Sequence, residues 1–414
     1  MKAGFEREGP ALLCDGVPLG ELADRFGTPL YVYSRELIAS SYRRYDRAFL
    51  PVPHTICYAL KANSTGALLK VLSALGAGAD VVSGGELSAA LRAGFPPGRI
   101  VFAGVGKTDA ELRQGLEAGV GLVNVESGDE IERLHRLATE RGSTARIALR
   151  VNPSIDPLSH PHIATGLGES KFGIGIETVP ALVERCRSLA GVRLVGVQCH
   201  IGSQVRDLGR LEAAARAAAD LSRRLLASGV PLEVIDLGGG LGIDYEGDGG
   251  SDPEGLAARV LPALEGLPLA LLLEPGRSLV GSAGVLLTRI VGRKENGGRR
   301  FVIVDAGMND LLRPALYDAY HRVEPVVSRG APPRKVDVVG PVCETADFLA
   351  RDRLLEDLPE GDLLAVRDAG AYGFAMSSRY NLRPRPAEVL VEPSGPRLIR
   401  RRETFADLVA TEES

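Results

Sequence analysis

With 414 residues, a formal net charge of −4 and 25% charged residues, the sequence describes a soluble globular protein of one large domain plus a smaller one, without the basic field that nucleic acid requires. The start, MKAGFEREGP, carries acids and lacks an apolar core, and no later stretch approaches an uncharged run of membrane-spanning length, so the cytoplasm is the expected compartment. Five cysteines, odd in number and without CxxC spacing, argue against a disulfide framework and against a zinc site.

Residues 10–35 hold a short strand over 12–14, a helix near 18–26 and a strand over 30–33. From about Ser34 an alternation of helical segments with β-branched or apolar runs begins. Strands are expected over 55–60, 79–82, 100–103, 121–125, 146–151, 193–199, 233–237 and 269–273, with helices such as 111–118, 129–140, 179–189 and 211–226 between them. Eight βα units in a row predict either a closed barrel or a large doubly wound sheet. Lys61, Ser83, Gly104, Glu126, Asn152, His200, Gly238 and Glu274 all fall at or just after strand ends. A ring of polar groups at the same end of eight strands suits a barrel mouth better than one crevice at a switch point.

After Leu279 the pattern changes to strands over 285–292, 301–305, 323–327, 335–339, 363–366, 387–391 and 397–401, joined by clusters such as Glu295-Asn296-Gly297-Gly298. The expected organisation is α/β, a (β/α)8 TIM barrel over 34–280. A second, antiparallel β domain, sandwich- or barrel-like, comprises 1–33 and 281–414.

Lys61 ends a nearly wholly apolar strand and precedes a small-residue turn, TICYALKAN. Lysines are usually solvated; one delivered by a buried strand to its own mouth is the partly desolvated amine that Schiff-base chemistry needs. Gly238-Gly239-Gly240-Leu241-Gly242 closes the seventh strand, where a glycine-rich turn either brings backbone N–H groups close to a phosphate or is simply a tight turn. Gly106-Lys107-Thr108 is not a nucleotide P-loop, because Val101 stands where its first glycine belongs. Glu274-Pro275-Gly276-Arg277 ends the eighth strand, and Glu274 reads either as an ion pair with Arg277 or part of a surface turn, or as a carboxylate beneath a cofactor ring. His200, in HIGSQ, is either a hydrogen-bonded structural residue or a ring-stacking one. His160 and His162 have a metal-like spacing but no third ligand nearby, and read as loop residues.

Taken together, YALKAN, ADVVSGGEL, HIGSQ, GGGLGIDY, EPGRSLV, RPALYDAYH, CETADFLA, DAGAYGFAMSSRYN and RPRPAEVLV closely resemble the diaminopimelate decarboxylases, pyridoxal-phosphate enzymes of lysine biosynthesis. The resemblance runs in order from about Gly27 to Val391 and includes Thr165-Gly166 and Ser170-Lys171-Phe172-Gly173. It implies an alanine-racemase-like barrel (fold type III), pyridoxal 5'-phosphate as cofactor, an amino-acid substrate, and a homodimer with active sites shared across the interface. It further implies that Lys61 is the Schiff-base lysine, that His200 stacks on the cofactor ring, and that Glu274 faces the pyridine nitrogen. Asp80, Ser203, Gly239, Gly240, Gly276 and Arg277 belong by the same resemblance to the cofactor site, with Tyr372 near both cofactor and substrate. Arg277, Arg313 and Tyr317 resemble the clamp on the carboxylate that is kept, and Glu344 the residue that binds the distal ammonium. Cys343 resembles the acid, supplied by the other subunit, that protonates the carbanion.

Physical chemistry agrees with these roles. A carboxylate at Glu274 keeps a pyridine ring protonated and electron-hungry, as decarboxylation needs, whereas racemases of the same barrel carry an arginine there. A proton-donating thiol must stay protonated, and Glu344 beside Cys343 disfavours the anion. Guanidinium groups at 277 and 313 together with an acid at 344 read an amino-acid head group remote from the reacting centre. The expected reaction is decarboxylation of meso-2,6-diaminopimelate to L-lysine. The alternative is another carboxylate-bearing or carrier-tethered amino acid.

Overall fold

The computed structural model describes residues 4–153, 155–156, 171–247, 249 and 251–413. His160, His162, Thr165, Gly166 and Ser170 lie outside the described residues. The chain divides into two compact units, Ser41–Ile243 with Gly250–Ser278, and Met1–Ser40 with Asp244–Gly249 and Leu279–Ser414.

The first unit is built on eight strands: β1 (His54–Ala59), β2 (Gly78–Val81), β3 (Ile100–Phe102), β4 (Leu122–Val125), β5 (Ala145–Asn152), β6 (Val192–Gln198), β7 (Val234–Asp236) and β8 (Ala270–Leu273). Each pairs in parallel with the next, and β8 returns to β1 with Leu273 opposite Ile56, which closes the barrel. Short β-branched and apolar runs make these strands because both faces are covered. Cys57, Val101, Leu122, Ala148 and Val195 pack into one apolar cluster drawn from five of them. Several βα loops end in a residue that caps the next helix: Ser83, Thr108, Ser127, Asp207 and Asp252 each accept a backbone N–H of the first turn, and Thr108 with Glu111 forms a capping box.

The second unit carries a nine-stranded sheet and a small three-stranded one. Along the main path the order is Phe348–Glu356, Pro333–Val339, Arg299–Val304, Gly284–Asn296, Leu30–Ser34, Ala387–Glu392 and Gly395–Arg400, while Leu363–Val366 joins both Gly284–Asn296 and Val323–Pro325. The sheet is not purely antiparallel. Leu30–Ser34 runs parallel to Ala387–Glu392, and Arg299–Val304 runs parallel to Pro333–Val339. The first of these arises because a strand from the start of the chain is inserted between two from its end. Leu12, Leu22, Leu30, Val32, Val285, Leu287, Val389 and Val391 form the apolar core against which this insertion packs. The strand Phe348–Glu356 was not expected from sequence, because the exposed Arg351 and Asp352 interrupt its apolar pattern. Among the described residues, no helix is long and apolar enough to cross a membrane.

Candidate active site

Strand β1 ends at Ala59, and Leu60–Ala62 make one tight helical turn that sets Lys61 at the strand's mouth. The Ala59 N–H donates to Pro275 O at 3.1 Å, and a Cβ on Gly276 would lie 3.0 Å from Ala62 Cβ. Closure of the barrel between β1 and β8 therefore packs the turn that carries Glu274 directly on the turn that carries Lys61. On the other side, β2 places Asp80 opposite Ala59, and its Oδ2 ion-pairs with the Lys61 amine. The Lys61 side chain is 38% exposed while Asp80 is fully buried, so the partly desolvated amine meets a carboxylate.

Asp80, Asn124, Gln198 and Glu274 come from β2, β4, β6 and the end of β8, the alternate-strand pattern by which a barrel builds one interior layer. Asn124 Nδ2 donates to Glu274 Oε1 at 3.1 Å and to Asp236 Oδ2 at 3.0 Å, and Gln198 Nε2 donates to Glu274 Oε2 at 3.2 Å. Glu274 is thus held by amides, while Arg277 Nη2 donates to Ser203 Oγ at 3.1 Å. Burial, and then the charges of Asp236 and Asp80, hold the Glu274 carboxyl well above the usual carboxylate range. Burial raises Asp236 to about 6, against the Gly238 N–H that donates to its Oδ1 at 2.8 Å. Two carboxyls in one dry place disfavour each other's ionisation, so burial and mutual charge favour a proton held by the pair.

The loops after β6, β7 and β8 meet backbone to backbone. A Cβ on Gly239 would come within 2.2 Å of Glu274 O, and one on Gly240 (φ +105°) within 2.4 Å of Gly202 O, so neither position admits a side chain. Gly239 N–H donates to His200 Nδ1 at 3.2 Å, which makes Nδ1 the acceptor and leaves the ring proton on Nε2. Burial, then the positive charges of Arg150 and Lys61, hold the His200 pKa well below its ordinary value, and the ring is neutral.

An amine at the mouth, a glycine cradle flanked by Ser203 and Arg277, a neutral imidazole, and a buried carboxyl pair that retains a proton fit pyridoxal phosphate. Asp80 Oδ1, buried and without a hydrogen-bond partner among the described residues, is consistent with a site built for a further polar group. Asn124, Gln198 and Asp236 escaped the sequence reading. Their signal was a single polar residue in each of three otherwise apolar strand segments, LVNV, VGVQ (the end of Val192–Gln198) and VID.

Some polar residues at the strand ends serve structure. Ser83 caps a helix, and Glu126 accepts from Arg150 Nη1 at 2.7 Å and from the Gly173 N–H at 3.0 Å. Lys107 is buried, ion-paired with Glu130 at 2.8 Å and bonded to the carbonyls of Gly104 and Asn124, so its amine is a clip between loops.

The second unit holds the remaining predicted residues. Arg313 opens the short helix Arg313–Tyr317 and is buried; Tyr317, at its end, is half-buried. Tyr372 is half-buried with a left-handed backbone (φ +56°). Cys343 and Glu344 stand exposed on a turn. Asp347 organises that turn by accepting the N–H groups of Met308 and Val342, both at 2.6 Å, and Asn381 Oδ1 accepts the Cys343 N–H at 2.8 Å. The other four cysteines are buried; burial pushes the Cys186 thiol up to about 11 and that of Cys199 up to about 12, which leaves them inert.

Residues 35–281 match the family described as "Pyridoxal-dependent decarboxylase, pyridoxal binding domain". The chain is 50% identical over 408 residues to the diaminopimelate decarboxylase of Pseudomonas aeruginosa, covering 99% of this chain and 98% of that one. It is 48% identical over 399 residues to that of Aquifex aeolicus, covering 96% and 94%. Among solved structures, diaminopimelate decarboxylase from M. jannaschii in complex with L-lysine superposes with a TM-score of 0.95 at 40% identity, covering 99% of this chain and 98% of that one.

Proposed function

The chain belongs to the diaminopimelate decarboxylase family and is a pyridoxal-phosphate-dependent carboxy-lyase, and from that premise we propose that it converts meso-2,6-diaminopimelate to L-lysine and CO2. The observation that carries the chemistry is the buried Asp236–Glu274 pair beside the Lys61 turn. When bound, pyridoxal phosphate supplies the sink for the electrons left on Cα by loss of CO2. In this reading residues 34–280 are the cofactor-binding domain, a reading supported by the family match over nearly the same span, and residues 1–33 and 281–414 are the second domain.

Lys61 holds the cofactor, and Asp80 orients the amine. His200, in its neutral form, offers a flat face to the ring without adding charge. Gly239, Gly240, Gly276, Ser203 and Arg277 bound the phosphate end, and Glu274 holds a proton at its carboxyl for the ring nitrogen. Arg277, with Arg313 and Tyr317, takes the retained carboxylate, Glu344 takes the distal ammonium, and Tyr372 lies near cofactor and substrate; all of these except Arg277 belong to the second unit. Cys343 gives the proton to Cα. Exposure of Cys343 and Glu344 supports their serving the site of the other subunit in a homodimer. Free cysteines throughout the described residues fit a reducing, cytoplasmic setting.

Turnover by the purified protein with pyridoxal phosphate on meso-diaminopimelate, ornithine, arginine and glutamate tests the substrate. Substrates that leave the arginines without a carboxylate are expected to be poorer by roughly 10⁴-fold. Turnover of the last three alone would overturn the reading.

A further inference from the structure

Arg313 does not stand by itself within its unit. Its Cζ lies 4.8 Å from the centroid of the Tyr245 ring, and its Nη1 is 2.7 Å from His321 Nε2. Tyr245 and His321 meet edge to face, with centroids 5.2 Å apart and ring planes at 74°. His321 is fully buried and its other nitrogen, Nδ1, lies 2.8 Å from the backbone oxygen of Arg367.

Strand register puts His321 there. Val323 pairs with Val366, the next step outward is the bond from Arg367 N to Arg322 O at 2.8 Å, and one residue further the His321 ring reaches Arg367 O. A carbonyl oxygen only accepts, so Nδ1 carries the imidazole proton. Nε2 is then a lone pair facing the guanidinium, and the tautomer is dictated by the sheet. The Arg313 guanidinium lies against a ring face on one side and an imidazole lone pair on another. Both contacts are neutral: they fix the plane of the cation without cancelling its charge.

We propose that His321, locked in one tautomer by the Arg367 carbonyl, is a positioning residue that orients Arg313 to receive the carboxylate retained by the substrate, with Tyr245 as the second wall. The assignment rests on the reading of Arg313 as part of the carboxylate clamp. His321 touches neither substrate nor cofactor in this scheme, and its effect is confined to ligands that bear that carboxylate.

The test is a titration of the pyridoxal-phosphate-loaded enzyme with L-lysine and with 1,5-diaminopentane, which has the same two amines and no carboxylate. The wild-type protein binds L-lysine more tightly. His321→Phe weakens L-lysine binding roughly tenfold or more and leaves 1,5-diaminopentane unchanged, and in turnover it raises KM far more than it lowers kcat. His321→Gln, whose amide can both donate to Arg367 O and accept from Arg313, recovers most of the loss. The visible absorption of bound cofactor verifies that each variant is folded. If His321→Phe does not accumulate, His321→Asn, too short to reach both partners, replaces it. Equal loss for both ligands, or no loss for either, overturns the role of His321 while the clamp stands. Absence of any preference in the wild type overturns the clamp itself, and the proposal with it.

Discussion

In the barrel unit, Asp80, Asn124, Gln198, Asp236 and Glu274 are each at most 6% exposed, and the Asn124 amide links the two carboxyls at 236 and 274, whereas in the sheet unit Cys343 and Glu344 stand on an exposed turn held through its backbone N–H groups. The two arrangements serve different needs. A group that must keep a proton for a cofactor needs a dry, amide-lined setting, where burial and a neighbouring carboxylate raise its proton affinity. A group that meets a changing substrate needs access. In the proposed scheme the barrel chemistry is general to amino-acid decarboxylation, and the sheet unit bears all the substrate-discriminating residues except Arg277.

Removing the exposed thiol is the sharpest way to break this contrast. Cys343→Ala is expected to lower kcat by about 10²–10⁴-fold while the cofactor stays bound, because nothing in the barrel layer depends on the thiol. Equal loss of cofactor, measured by visible absorption, would mean that the two sets are not separable. Mixing that variant with Lys61→Ala protein restores part of the activity if each site takes its lysine from one subunit and its thiol from the other. No recovery after verified subunit exchange would speak against sharing.

A smaller effect sharpens the comparison from the other side, since the sheet unit has a buried acid of its own. Burial raises Asp310 to about 7, although it accepts the Gly307 N–H at 2.9 Å and Asn309 Nδ2 at 3.0 Å. An acid whose folded pKa is raised binds more protons folded than unfolded. Its contribution is complete below its unfolded pKa near 3.8 and is lost as pH rises toward 7. Denaturant unfolding of Asp310→Asn between pH 4 and 7 should therefore show a shallower fall in stability than the wild type. An unchanged slope would show that Asp310 does not titrate in that window.

Much of this was legible in the sequence because barrel strands, buried on both faces, write themselves as short apolar runs whose ends carry the polar residues. Lys61, His200, the glycine turn and Glu274 were each visible in that way. Asn124, Gln198 and Asp236 were not, since a single polar residue in a strand says nothing until closure brings alternate strands together. The Tyr245–Arg313–His321 cluster was hidden for a similar reason: its members lie on separate segments, and only the register of Val323–Pro325 against Leu363–Val366 reveals which way His321 faces. Parallel pairing of Leu30–Ser34 with Ala387–Glu392 is equally non-local, and local turn chemistry could not announce it.

Everything assigned to the barrel depends on the cofactor being held at the mouth of β1. Borohydride reduction of the pyridoxal-phosphate-loaded enzyme, followed by peptide mapping by mass spectrometry, examines that attachment directly. The pyridoxyl group is expected on Lys61 alone. Its recovery on any other lysine, with Lys61 unmodified, would contradict the placement of the reaction beside Glu274.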